Sequence, residues 1–118
     1  MRILYIDSDR AIAQSVAAYM QAHNIETVWA QNAEDALQKL DAQTPDVIVL
    51  ELALHGNSGV EFLHECRSYK DWSTVPVVLF CQQDVSAHAD ALQTFGVSKV
   101  LYKPRTSLSQ LKKEIARA

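Results

Sequence analysis

Apolar residues along the chain fall into two spacings that alternate. Ile3-Leu4-Tyr5-Ile6, Val47-Ile48-Val49-Leu50 and Val77-Val78-Leu79-Phe80 are continuous runs of four. Short runs rich in β-branched residues predict strands buried on both faces of a parallel sheet. Thr27-Val28-Trp29-Ala30 and Val100-Leu101-Tyr102 have more polar flanks and are expected at the sheet edges. Between the runs the spacing becomes helical. Ile12, Val16, Tyr19 and Met20 share one face, and Asp9 stands where an N-cap belongs. Ala33, Ala36, Leu37 and Leu40 repeat the pattern after Asn32, and Pro45 ends that segment. Ser58 to Glu61 reads as a capping box ahead of Phe62, Leu63 and Cys66. His88, Ala91, Leu92 and Phe95 form a fourth face, closed by Gly96. Ser107 to Gln110 forms a second box before Leu108, Leu111 and Ile115.

Strand and helix therefore alternate five times, which predicts an α/β fold with a parallel sheet covered by helices on both faces. In such sheets ligands gather outside the carboxyl ends of the strands. The residues expected there are Asp7 and Asp9 after the first strand, Glu51 after the third, Cys81 after the fourth and Lys103 after the fifth. Carboxylates facing a lysine suit a divalent cation and a phosphoryl group. They equally suit a plainer arrangement, in which Asp7 and Asp9 cap a helix and Lys103 neutralises a surface acid.

Composition narrows the class of protein. The 118 residues make one domain, 1–118, and 48% hydrophobic with 21% charged residues is ordinary for a globular chain. A net charge of -3 argues against a dedicated nucleic-acid binder, although basic residues gather after Lys99. Cys66 and Cys81 lie in apolar stretches and make no disulfide framework. No apolar run approaches the roughly eighteen residues of a membrane span, and the apolar start is too short for a signal peptide. A cytoplasmic location is expected. His23, His55, His64 and His88 show no i, i+4 metal spacing. His55 and Asn57 fall in the loop after the third strand, with His55 near the site edge but expected to face solvent. Trp29 and Trp72 read as packing anchors. No glycine-rich phosphate cradle and no nucleophile-base pair stands out, so no catalytic role is assigned.

Several of these segments resemble the receiver domain of two-component response regulators, nearly over the full length. Ile3 to Asp9 is similar to the family's first strand and acidic residues. Pro45 to Glu51 followed by Gly59 resembles the strand that ends in the phosphoacceptor. Val75 to Cys81 resembles the fourth strand, and Lys103-Pro104 the family's lysine-proline pair. The resemblance implies a flavodoxin-like (βα)5 doubly wound sheet of order 2-1-3-4-5, a three-layer sandwich, with a cis bond before Pro104. It also implies a signalling partner, a histidine kinase or an output domain, and nucleic-acid contact only through a separate effector. The recognition surface would be helix four, strand five and helix five, here including His88, Lys99, Val100, Arg105 and Lys112, with homodimerisation through it.

The departures from the family pattern carry as much information. Glu51 stands at the phosphoacceptor position, Ser8 at the second acidic position, Cys81 at the switch hydroxyl and Val100 at the switch aromatic. Asp7 remains as the aligned metal carboxylate, with Asp9 a helper, so Mg²⁺ binding is expected to be weak if it occurs. A glutamate extends its carboxylate by one methylene, about 1.5 Å, which spoils in-line attack and lets Glu51 pair with Lys103 as a partial phosphoryl mimic. Cys81, a weak donor among apolar neighbours, is expected to be inert rather than a redox sensor. The reading is an atypical receiver, or pseudo-receiver, acting by protein contact. The rivals are a receiver with weak Mg²⁺-dependent phosphoryl acceptance, a small flavodoxin-like ligand binder or enzyme, and a regulator whose effector domain lies beyond residue 118.

Overall fold

Strands β1 (Arg2–Ile6), β2 (Glu26–Ala30), β3 (Val47–Leu50), β4 (Val77–Cys81) and β5 (Lys99–Tyr102) alternate with helices α1 (Arg10–Ala22), α2 (Ala33–Ala42), α3 (Gly59–Ser68), α4 (Ala89–Thr94) and α5 (Leu108–Arg117). The computed structural model describes residues 1–56 and 58–118, so Asn57 lies outside the described residues. All strand pairs are parallel, and the order is β2-β1-β3-β4-β5. The fold class and strand order expected from the sequence hold, with β2 and β5 at the two edges.

The pleat sorts each buried strand onto two cores, because successive side chains point to opposite faces. Leu4, Ile6, Ile48, Leu50, Val77 and Leu79 face α2, α3 and α4 through Ala36, Leu40, Phe62, Leu63 and Leu92. Ile3, Tyr5, Val47, Val49, Val78 and Phe80 face α1 and α5 through Val16, Met20, Leu111 and Ile115. All four residues of β3 are buried, which is why that segment carries no polar alternation. Each fully buried aliphatic side chain contributes about 1.5–3 kcal/mol.

Local signals in the sequence account for most helix starts. Asp9 accepts from the Ile12 amide, Asn32 from Asp35 and Ser107 from Gln110, where the reciprocal capping box is complete. Ser58 accepts from the Glu61 amide, one half of the expected box. Two expectations need correction. His88 does not share the face of α4: the Asp84 carboxylate accepts from the Ser86 amide at 2.9 Å and hydroxyl at 3.1 Å. That turn winds Ser86–His88 into a single 3-10 turn and delays the helix to Ala89. The bond before Pro104 is also not cis, since no cis peptide occurs among the described residues. With a trans bond Pro104 sits inside a 3-10 turn, Lys103–Arg105, closed by the Thr106 amide on the Lys103 carbonyl at 3.2 Å.

Candidate functional site

Strand register alone brings the chemical groups together. Ile6 pairs with Leu50, Leu50 with Leu79, and Cys81 with Tyr102. Asp7, Glu51, Cys81 and Lys103 therefore end their strands at one edge, where Asp7, Glu51 and Lys103, with Ser8, Asp9, His55 and Gln82, line a cavity of about 390 Å³.

Lys103 lies at its centre. Its Nζ donates to Asp7 Oδ2 at 2.6 Å and to Glu51 Oε1 at 2.9 Å. The lysine side chain is only 7% exposed, against 3% for Asp7 and 5% for Glu51. Buried charges need partners, and here one cation serves two anions. Glu51 has further donors. Its Oε1 accepts from the Gln82 amide at 2.9 Å and its Oε2 from the Ala53 amide at 3.1 Å. Burial pushes the Glu51 carboxyl up, but the Lys103 bond and the two amides outweigh it and hold the group below its ordinary value. Burial likewise lowers Lys103, and its bonds to Asp7 and Glu51 reverse the shift and raise it.

Asp7 is equally well supplied with donors. Oδ2 accepts from the Tyr5 hydroxyl at 2.8 Å as well as from Lys103, and Oδ1 accepts from the Asp9 amide at 2.9 Å. Burial, with the Asp7 charge beside it, drives the Tyr5 phenol far above its ordinary range, so it remains a neutral donor. The Trp29 indole donates to the Asp7 carbonyl at 2.7 Å, and the Arg10 guanidinium lies 5.7 Å from the centroid of that indole.

The remaining expected residues are dispersed around this centre. Asp9 turns its carboxylate to the start of α1, accepting from Ile12 at 3.1 Å. Ser8 donates to the Gln31 carbonyl at 2.7 Å and accepts from the His55 amide at 2.9 Å, tying the β3–α3 loop to the site. His55 is exposed at the mouth, and Pro104 lines an apolar groove on the α1–α5 side. Cys81 is 1% exposed, its Sγ lies 3.8 Å from the Leu50 carbonyl, and burial pushes its thiol up to about 12. Such a thiol stays protonated and unreactive. Val100 is 45% exposed and packs at a second groove with Val85, Ala89 and Leu92. His88, Lys99 and Arg105 are exposed and Lys112 is half-buried, so none of these four enters the acid–lysine cluster.

Sequence reasoning missed Tyr5, whose hydroxyl completes the Asp7 environment. The signal was present: in a strand, residues two apart share a side, so a tyrosine two before Asp7 can reach it. The Ala53 and Gln82 amides left no signal, since backbone donors are supplied by any residue that follows a strand end. Trp29 does more than pack, because its N–H fixes the backbone of Asp7.

A doubly wound sheet with an acid–lysine cluster at its carboxyl edge defines the class of receiver modules. The chain belongs to the response regulator receiver domain family, whose pattern matches residues 3–116. It is 26% identical over 103 residues to Regulatory protein VanR of Enterococcus faecium, covering 87% of this chain and 43% of that protein. It is 26% identical over 114 residues to Regulator of RpoS of Escherichia coli (strain K12), covering 97% of this chain and 33% of that protein. The chain thus spans less than half the length of these curated relatives. Among solved structures it resembles chemotaxis protein CheY4 of Vibrio cholerae, with a TM-score of 0.90, 22% identity and 98% and 96% of the two chains covered. A two-component response regulator from Clostridium difficile gives a TM-score of 0.87 with 26% identity, over 99% of this chain and 96% of that one. No described helix is long and apolar enough to cross a membrane.

Proposed function

We propose that this receiver domain signals by protein contact without taking up a phosphoryl group, with Glu51 standing at the position where family receivers carry a phosphoacceptor aspartate. The observation that carries this reading is the state of the Glu51 carboxylate. One oxygen accepts from Lys103 and Gln82 and the other from Ala53. A carboxylate in that setting is a poor nucleophile, because attack would have to break charge-assisted hydrogen bonds in a buried site. It also fills with its own negative charge the position that a phosphoryl group would need. The mimicry is partial, since a phosphoryl group brings about −1.5 to −2 charge and three acceptor oxygens. Cys81 supports the same reading, as a protonated thiol is a weak donor where a switch hydroxyl would serve.

The surface proposed to carry the output is the exposed side of α4, β5 and α5. Val100 and Tyr102 are 45% and 43% exposed there, and Lys99 and Arg105 flank them. A histidine kinase, an output domain or a second copy of the chain are the partners this reading gives that surface.

Intact-mass spectrometry after incubation with acetyl phosphate and Mg²⁺ tests the central claim. The native chain should keep its mass, and stoichiometric gain of one phosphoryl group would show a working switch instead. Glu51→Asp then separates the causes. Phosphate on that variant assigns the block to the extra methylene, and none means that Ser8 and Cys81 disable the site as well.

A further inference from the structure

We propose that this site is built around the Lys103 ammonium in place of a divalent cation, and that the Tyr5 hydroxyl makes the replacement permanent. The inference extends the reading above from the anion side of the site to its cation side. A hard dication such as Mg²⁺ requires about six oxygens near 2.0–2.1 Å, in nearly octahedral array. The oxygens that would face it here are already engaged. Asp7 Oδ2 receives both Tyr5 and Lys103, and Oδ1 receives the Asp9 amide. Ser8 uses its hydroxyl in both directions, and Asp9 turns one carboxylate oxygen to the Ile12 amide at the start of α1. Among the described residues no group of three His, Cys, Asp or Glu side chains is arranged to hold a metal.

Tyr5 sets the choice because it cannot leave. Its ring is fully buried in the core beneath α1 and α5. The hydroxyl lies on the axis of ring rotation, so a ring flip returns it to the same point beside Asp7. With one lone pair of Oδ2 held by the phenol, Lys103 takes the other and completes the shell. Withdrawing Lys103 would strand Asp7 and Glu51 as buried, uncompensated charges. A phenylalanine at position 5 keeps the packing and frees a lone pair on Asp7. Tyr5 is thus a positioning residue that selects lysine over metal.

The test is a Mn²⁺ titration without any phosphodonor, counting free Mn²⁺ by electron paramagnetic resonance and following Trp29 fluorescence beside Asp7. The native chain should leave Mn²⁺ free at millimolar concentration. Tyr5→Phe combined with Glu51→Asp should bind it about tenfold or more tighter than Glu51→Asp alone, the scale of one hydrogen bond to a charged group. Lys103→Met should also gain Mn²⁺ binding, and damage to the fold would not create an ion site. Saturable binding by the native chain overturns the inference, as does failure of both folded variants to gain binding. Native binding of Mn²⁺ without phosphate uptake would sink this inference and leave the proposed function standing, whereas Mg²⁺-dependent phosphate uptake would sink both.

Discussion

Lys103 and Glu51 have pKa shifts of opposite sign, and together they bound the pH range over which the site holds. Glu51 is lowered from 4.5, so folding favours its ionised form. The stability it contributes is present above that value and is lost as pH falls through the lower folded-state pKa. Lys103 is raised from 10.5, so its contribution is complete below that value and is lost as pH rises through the folded-state pKa. Tyr5 adds to the alkaline loss, because its phenol ionises near 10.0 only once unfolding releases it. Urea unfolding of the native chain and Glu51→Gln across pH checks the acid side. At neutral pH the native chain should be more stable by about 2 kcal/mol, the value of hydrogen bonds to a charged group. The gap should close as Glu51 protonates, and a gap that persists in strong acid would exclude Glu51 as its source.

At the scale of elements, α4 is a helix of 6 residues that buries only Leu92, and Arg67 supplies a fixed point at its end. From the last turn of α3 the guanidinium donates to the Phe95 carbonyl at 3.0 Å, just past α4. It also donates to the carbonyls of Trp72 at 3.0 Å and Val75 at 2.7 Å, bracing the turn before β4. Read in sequence, Arg67 is only a cation near a helix C-terminus. Its partners reach 28 positions along the chain, and packing alone brings Phe95 within range. Arg67→Met keeps most of the apolar stem and removes the donors. It should cost about 2 kcal/mol in urea unfolding and speed amide exchange in α4 more than in α5. Equal exchange in the two helices would show that α4 is held by other means.

For the whole molecule, the two sheet edges differ in a way that bears on association. At β2 the strand is flanked by α1 and α2, whereas β5 exposes Val100 and Tyr102 beside a groove of about 490 Å³ lined by Val85, Leu92 and Val97. Exposed apolar surface of this kind marks contact sites. The proposed homodimer through this face predicts concentration-dependent association in sedimentation velocity, abolished by Val100→Asp. A native chain that stays monomeric at every concentration would remove the homodimer and leave the face to a different partner.

The sequence by itself determined the order of elements, the fold class and the caps at Asp9, Asn32, Ser58 and Ser107, because each depends on residues within a few positions of one another. It also determined which residues end the strands, and so that Asp7, Glu51 and Lys103 would meet. Tertiary structure alone decided how they meet. Lys103 lies 96 positions from Asp7 and 52 from Glu51, and only the register of four parallel strands sets the ammonium between them. The fold also sets the Ala53 and Gln82 amides on Glu51, contacts that no local pattern specifies, whereas the Tyr5 hydroxyl reaches Asp7 from two positions away along the chain.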